Sequence, residues 1–353
     1  MTQPESHQFG GVLREFAADW TPIFADLDRE YAHLTEVTSC TQIDGGVALE
    51  VHATDGGTVR GAVTFITPQI FRLRLWLDEE PPRDSPMLVE GAHRKQSCRV
   101  SDESDRLELD SDALALSMNK GEWSLTVRPN DRRPIFEQRW DDRQIRGAVT
   151  PRRPDGNVQF HEVFSLDPDD HLYGLGEHFG PFDRKGQRIV SWSRDPVGAI
   201  TSTACYINIP LLISSRGFGL FFHHHSKLTY ELGNPALQTA AIRVGDPYLD
   251  YFFIYGPSPK EIISRYTDLT GRATVPPHWS FGVWWSRCMY RNREQVEGIV
   301  ERLRELDIPG DVVHLDPLWL RGRKDKRLDG CHFEWDEEAF PDPQGFVDWL
   351  GER

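Results

Sequence analysis

The chain has 353 residues, and its 55 acidic and 40 basic residues leave a net charge of -15. This acidic excess disfavours nucleic acid and anionic lipid as main partners, because both would be repelled. Hydrophobic residues make up 39% of the sequence, which favours a folded protein with a large core over a disordered chain.

The N-terminal segment predicts no targeting signal, since it lacks a basic region followed by an apolar stretch. No later run is long and apolar enough to cross a bilayer, so we expect a cytoplasmic protein without membrane contact. The cysteines are odd in number and form no C-x-x-C pair. They therefore predict reduced thiols, and neither a disulfide framework nor a zinc site: Cys40, Cys98, Cys205, Cys288 and Cys331.

The first three quarters of the chain predict β-strands separated by short turns. In one of them Leu107 and Leu109 alternate with Glu108 and Asp110, as expected for a strand with one face in water. Many strands, frequent turns and little helical periodicity indicate an antiparallel β-sandwich. The clearest strand segments are GGVALEVHA (45–53), FRLRLWL (71–77), RLELDSDALALSM (106–118), ACYINIPLLISS (204–215), GFGLFFHHH (217–225) and DYFFIYG (250–256).

A helix is predicted to close this first domain, which we place at residues 1–275. Ser258 and Glu261 form an S-x-x-E capping box around Pro259, and Gly271 stands where a glycine commonly ends a helix. Residues 276–277, a Pro-Pro pair, are interpreted as the linker to a second domain.

The second domain, residues 276–353, predicts two β/α units. The apolar run 279–285 indicates a strand buried on both faces, and 292–306 predicts a helix with one apolar side. Residues 311–316 predict a second strand, and Asp342-Pro343 opens another helix. Because a complete eight-stranded barrel needs roughly 250 residues, we expect the first two units of an incomplete (β/α)8 TIM barrel, in a truncated chain. The fold class is therefore mainly β.

From Tyr173 onward the chain resembles glycoside hydrolase family 31, the α-glucosidases and α-xylosidases. The resemblance covers roughly half of the chain and consists of short motifs in the family's order: YGLGEHF (173–179), SWSRD (191–195), YINIP (206–210), YFFIYGPSPKEIISRYTDLTG (251–271), PPHWSFGVW (276–284), HLDPLW (314–319) and FEWDEEAFPDP (333–343). It implies a galactose mutarotase-like sandwich before a (β/α)8 barrel, no cofactor, and an α-linked oligosaccharide or glycoside as substrate. Family members often form homo-oligomers.

The same resemblance implies retaining hydrolysis of terminal α-xylosides or α-glucosides by two carboxylates roughly 5–5.5 Å apart. In the family the nucleophile ends barrel strand four and the acid/base follows strand six. The predicted strands stop at the second, so no catalytic residue is assigned and we expect this chain alone to be inactive. The alternative is a catalytically inactive carbohydrate-binding or interaction protein.

Two aspartates are candidate substrate-binding residues. Asp316 ends the second predicted barrel strand, and the family's matching aspartate accepts hydrogen bonds from sugar hydroxyls. The alternative role is a cap for the turn that follows. Asp195 matches an aspartate on a sandwich loop that reaches the substrate in the family. Without the resemblance, Asp195-Pro196 would be an ordinary turn start.

Three further residues are weaker candidates for the substrate pocket. Leu318 and Trp319 follow Asp316 along the expected pocket wall, where Trp319 could equally pack in a core. The family's α-xylosidases tend to have a cysteine and an aromatic where this chain has Pro317 and Leu318. Met289 occupies a position where the family often has an aromatic, and a methionine there could equally fill a gap.

Other clusters predict no site. Glu177 and His178 are adjacent on a strand and should point to opposite faces, so they should not share one task. The three histidines at 223–225 cannot all converge on one metal ion for the same reason. The basic run 321–327 predicts a solvated loop, with a phosphate site as the less favoured alternative.

Overall fold

The computed structural model of the chain describes residues 30–92, 94–130, 132–138, 149–152, 159–194, 205–287, 289–321 and 333–353. The chain divides into two compact units between Arg272 and Ala273. No helix in these ranges is both long and apolar enough to cross a bilayer.

The first unit is built from antiparallel strands in two sheets. The larger sheet has the order β12-β14-β15-β18-β4-β3-β2-β1-β10-β11-β17-β16-β13. Its strands are β1 (Glu30–Ile43), β2 (Gly46–Ala53), β3 (Thr58–Thr67), β4 (Ile70–Trp76), β10 (Val149–Arg152), β11 (Phe160–Ser165), β12 (Leu172–Gly176), β13 (Gln187–Ser191), β14 (Asn208–Ser214), β15 (Phe218–Phe222), β16 (Leu228–Leu232), β17 (Thr239–Val244) and β18 (Tyr248–Tyr255). The smaller sheet contains β5 (Arg99–Asp102), β6 (Arg106–Asp110), β7 (Leu114–Asn119), β8 (Ser124–Pro129) and β9 (Phe136–Glu137).

The long strand β1 joins the two halves of the larger sheet. Its C-terminal part pairs with β2, its first residues pair with β10, and the β2 register shifts around Val37. Register shifts of this kind bend a strand. The two halves then pack on each other, as shown by the edge-to-face contact of Phe164 on β11 with Phe218 on β15 at 5.9 Å. The predicted antiparallel sandwich is confirmed.

Both faces of β15 and β18 are buried, which explains their continuous apolar sequences. Tyr251 and Phe253 face the central core, whereas Phe252 belongs to a second cluster with Ile262 of the helix that follows. That helix, α1 (Pro259–Thr270), has the predicted capping box: the Ser258 hydroxyl accepts from the Glu261 N–H and donates to its carboxylate at 2.8 Å. Gly271 caps the other end with a φ of 100°.

The described residues of the second unit form two parallel strands and two α-helices. The strands are β19 (Trp284–Arg287) and β20 (Val312–Leu315), paired from Trp284↔Val312 to Arg287↔Leu315. The helices are α2 (Arg293–Glu305) and α3 (Pro343–Gly351), and their core contains Tyr290, Val296, Val300, Phe340 and Phe346. The two predicted β/α units are thus present, without a closed barrel.

One expectation about these strands is wrong. The run 279–285 predicts a strand buried on both faces, yet Val283 is 41% and Trp284 52% exposed. A parallel strand is buried on both faces only where layers cover both sides of its sheet. The described residues of this unit provide two helices, and their cluster reaches the sheet through Val313 and Leu315 of β20.

Candidate functional site

The carboxyl ends of β19 and β20 lie at one edge of the small parallel sheet. Since Arg287 pairs with Leu315, the residues that follow each strand emerge side by side: Met289 after β19 and Asp316 after β20. In (β/α)8 barrels this edge carries the active site. The structure therefore brings two sequence-predicted residues to the same edge, whereas their contact with substrate remains a prediction.

Asp316 has a carboxylate that no described residue engages. Its backbone is extended, with φ −88° and ψ 174°, and a 3₁₀ turn, Pro317–Trp319, follows it. The side chain makes no capping hydrogen bond to that turn. The capping role considered for Asp316 is therefore not the one observed. A half-buried carboxylate at this edge can accept hydrogen bonds from two hydroxyl groups of a ligand.

Trp319 packs within the second unit. Its ring lies 4.8 Å from that of Trp335 at 56° and 6.3 Å from that of Phe333. The backbones around it are paired too: the Asp336 N–H donates to the Trp319 carbonyl at 2.8 Å. These contacts hold segment 314–319 against segment 333–336 and favour the packing role of Trp319. Leu318 is half-buried, and Met289 is 55% exposed.

The second half of β12 in the first unit has a backbone that requires glycine. Gly174, Leu175 and Gly176 all have positive φ, at 97°, 71° and 89°. A Cβ at Gly174 would lie 2.3 Å from the Leu211 carbonyl oxygen, and one at Gly176 would lie 2.3 Å from that of Ile207. Both glycines of the YGLG segment are thus fixed by close approach to β14 and its preceding residues.

Arg184 holds this part of β12 from one side by donating to backbone carbonyls. It reaches the oxygens of Gly174 at 3.3 Å, Gly176 at 3.4 Å and Pro181 at 3.1 Å. Burial lowers the pKa of its guanidinium below the usual value. The neighbouring Glu177 is exposed while His178 is buried, so the two do not share one face, although both follow the end of β12 and do not lie on a strand as expected.

Beneath His178, two segments of the first unit are fastened together. Ser193 and Cys205 form a parallel bridge, and the Arg194 N–H donates to the Cys205 carbonyl at 3.2 Å. Burial raises the pKa of the Cys205 thiol, which donates to Asn208 Oδ1 at 3.3 Å. Asp195, the second predicted binding residue, lies outside the described residues.

The three consecutive histidines do not form a metal site. His223 contacts Asp250 Oδ2 through Nδ1 at 3.1 Å and Ser85 Oγ through Nε2 at 2.7 Å. His224 instead contacts Asp246 at 2.8 Å. Across the described ranges no group of three or more His, Cys, Asp and Glu side chains is placed to hold a metal ion.

A buried ion pair beside these histidines is a feature that the sequence interpretation missed. Arg72 donates to both carboxylate oxygens of Asp250, at 2.8 and 2.6 Å. Burial alone would raise the pKa of Asp250, but the hydrogen bonds from Arg72 and His223 lower it to about 2. The signal that could have revealed the pair is the alternation of Arg72 and Arg74 with leucines in FRLRLW, which places two arginines on one face.

Comparisons with known proteins place both units in context. Residues 61–231 match the family model of the glycosyl hydrolase 31 N-terminal galactose mutarotase-like domain, and residues 273–353 match that of the glycosyl hydrolases family 31 TIM-barrel domain. The chain is 37% identical over 194 residues to α-xylosidase XylQ of Lactiplantibacillus pentosus and 38% identical over 190 residues to an α-xylosidase of Emericella nidulans. These matches cover 54% and 53% of the chain and 24% of each relative.

A solved structure has the same fold. The GH31 dextranase of Flavobacterium johnsoniae, complexed with glucose, superposes with a TM-score of 0.75 at 22% identity. The superposition covers 91% of this chain and 37% of the dextranase chain. The chain thus spans about a quarter of the length of the curated relatives and over a third of this structural neighbour.

Proposed function

Because the chain belongs to glycoside hydrolase family 31, we propose that it provides the β-sandwich and the first two β/α units of an enzyme that hydrolyses terminal α-xylosides or α-glucosides. The observation that carries this proposal is the unengaged carboxylate of Asp316 at the carboxyl edge of β20. In this position it binds the hydroxyl groups of the sugar that is cleaved. Leu318 and Met289 form the neighbouring wall, and the family resemblance assigns a substrate-binding role to Asp195 as well.

The reaction that these residues serve is double displacement. A carboxylate attacks the anomeric carbon and forms a glycosyl ester as the bond to the leaving oxygen breaks. A second carboxyl group donates its proton to that oxygen, then takes a proton from the water that cleaves the ester. This chain's contribution is to bind and orient the sugar. Hydrogen bonds from two sugar hydroxyls to one carboxylate fix the ring, and such positioning supplies a large part of the rate enhancement.

The α-xyloside is the preferred substrate in this proposal. The support is the 37–38% identity to two proteins that are themselves called α-xylosidases. A xylose ring lacks the hydroxymethyl group of glucose, so a pocket shaped for xylose excludes the larger sugar by contact with its wall. The α-glucoside remains the alternative substrate.

A binding measurement with an asparagine variant tests the role of Asp316. We expect Asp316→Asn to weaken binding of methyl α-D-xyloside to the full chain at least tenfold, measured by calorimetry. The variant loses the charge that strengthens hydrogen bonds from sugar hydroxyls, at a cost of roughly 1.5–3 kcal/mol. Asp348→Asn, an exposed carboxylate on α3, is the matched control and should bind as the unmodified chain does. Equal affinity of the two variants would contradict the assignment.

A further inference from the structure

The first unit contains a small cavity of about 280 Å³ that the proposed function does not use. Its described wall comes from Met87, the end of β13 and the residues after it, the start of β14, and the segment from the end of β15 to the start of β16, all of which belong to this unit. We propose that this cavity binds a single ring of a neutral saccharide. The inference rests on the lining of the cavity, and it stands independently of the role of Asp316.

One side of the cavity is apolar. The Trp192 side chain is 48% exposed, and Met87, Pro210 and Leu228 line the same space. A pyranose ring carries a face of C–H groups that packs against an aromatic ring, while its hydroxyl groups point outward around the rim. Trp192 offers such a surface together with an indole N–H, which makes no hydrogen bond to any described residue.

The other side carries hydrogen-bonding groups that the protein leaves available. Neither the Ser191 hydroxyl nor the ring of His225 hydrogen-bonds to another described residue. The Ser193 hydroxyl accepts from Asn208 Nδ2 at 3.3 Å and keeps its own proton to donate. Hydroxyl and imidazole groups both donate and accept, as sugar hydroxyls do.

Two further lining residues are held in place by hydrogen bonds within the protein. Both the His224 ring and the Ser226 hydroxyl contact Asp246 Oδ2, at 2.8 and 2.6 Å. Burial by itself would raise the pKa of Asp246, but these contacts lower it, so the carboxylate is charged and holds both groups in place. The cavity is therefore built on fixed side chains, as a binding site of defined shape requires.

Charge and size define the ligand. None of the ten described residues that line the cavity is Asp, Glu, Lys or Arg, and this part of the lining favours a neutral ligand over a phosphate or a carboxylate. Pockets for drug-sized ligands usually measure about 300–1,000 Å³, and this cavity is at the lower limit of that range. Its volume fits one sugar ring and leaves no room for a second.

The test separates this cavity from Asp316. The full chain carrying Asp316→Asn is titrated with methyl α-D-xyloside and methyl α-D-glucoside, and saturation-transfer NMR detects contact with the C–H face. We expect binding to persist in this background. A second substitution, Trp192→Ala, should weaken it at least tenfold, and His225→Ala at least threefold. Phe182→Ala removes an aromatic ring that is 81% exposed and does not line the cavity, so it should leave binding unchanged.

Each outcome decides the proposal. It is overturned if the Asp316→Asn chain binds neither glycoside, or if Trp192→Ala and His225→Ala both bind as tightly as that background. Tighter binding of glucose 6-phosphate than of glucose would overturn the neutral ligand. Far-UV circular dichroism checks the folding of each variant, and His225→Ala decides the matter if Trp192→Ala unfolds. Failure of the Asp316 assignment shows instead when a chain carrying Trp192→Ala binds methyl α-D-xyloside with the same affinity whether or not it also carries Asp316→Asn.

Discussion

Glu162 on β11 is a carboxyl group fully enclosed by the core of the first unit. Gln138 Nε2 donates to its two oxygens at 2.9 and 3.0 Å, and the Gln138 Oε1 accepts from the Leu125 N–H at 2.9 Å. Burial raises the pKa of Glu162 to about 8, so it is protonated at neutral pH. The Glu162–Gln138 contact connects β11 of the larger sheet to the smaller sheet.

The raised pKa predicts how stability depends on pH. Between the usual value of 4.5 and about 8, folded Glu162 keeps a proton that the unfolded chain releases. The contribution of this group to the free energy of unfolding therefore falls as pH rises through that window, by roughly 1.4 kcal/mol per pH unit. Glu162→Gln removes this dependence. Urea unfolding should therefore show that the free energy of unfolding of the variant rises relative to that of the unmodified chain from pH 5 to 8. Glu137→Gln, at an exposed position, should show no such rise. If the free energies of unfolding of Glu162→Gln and the unmodified chain change with pH in parallel, the raised pKa of Glu162 is refuted.

Single residues differ in how far the sequence reveals them. Asp316 could be placed at the edge of β20 because a motif and a strand end coincide there. The partnership of Arg72 with Asp250 could not, because 178 residues separate the two and no local pattern names the partner. The same holds for the cavity beside Trp192, whose lining comes from several separate strands and loops.

At the scale of elements, local signals predict boundaries well. The capping box of α1 and the glycine that ends it are both confirmed. Asn292 caps α2 by accepting from Gln295 N at 3.0 Å, and Asp342 caps α3 in the same way through Gly345 N at 3.1 Å. Burial is harder to predict, as the exposed Trp284 on β19 shows, because it depends on which layers cover a strand.

The cap of α1 allows a stability prediction. Ser258→Ala removes the hydroxyl that satisfies the Glu261 N–H, so we expect a loss of about 1 kcal/mol in the free energy of unfolding of the first unit. Lys260→Ala, on the same helix turn at an exposed position, serves as the control and should change stability by less than about 0.5 kcal/mol. Chemical denaturation followed by circular dichroism measures both. Equal losses in the two variants would show that the cap contributes nothing.

At the scale of the whole molecule, composition and strand alternation suffice to predict an antiparallel sandwich followed by β/α units. They do not predict the order of the thirteen strands in the larger sheet. That order depends on pairings between distant segments, such as β4 with β18. Alternating hydrophobicity predicts that a segment forms a strand, but it does not predict which other strand it pairs with. The motifs of the second unit, by contrast, lie close together in sequence and predict their shared edge.

The second unit also leads to a prediction about activity. The family's two catalytic carboxylates follow barrel strands four and six, whereas the described residues of this unit contain two parallel strands, β19 and β20. We expect the 353-residue chain on its own to release no p-nitrophenol from p-nitrophenyl α-xyloside or α-glucoside above the uncatalysed rate. A spectrophotometric assay with the unmodified chain and Asp316→Asn measures this. Turnover that Asp316→Asn abolishes would show that the chain is catalytic by itself.

The pairing of β4 with β18 also constrains the order of events during synthesis. Ribosomes add about 5–20 residues per second, so Arg72 waits roughly 10–35 seconds for Asp250 to be made. Throughout that interval the edge of β4 that pairs with β18 is unpaired, and Arg72, which is buried in the folded chain, lacks Asp250 as its counter-ion. The nascent chain is thus most exposed to aggregation before β18 emerges, and chaperones that bind apolar strands would act on this protein in that period.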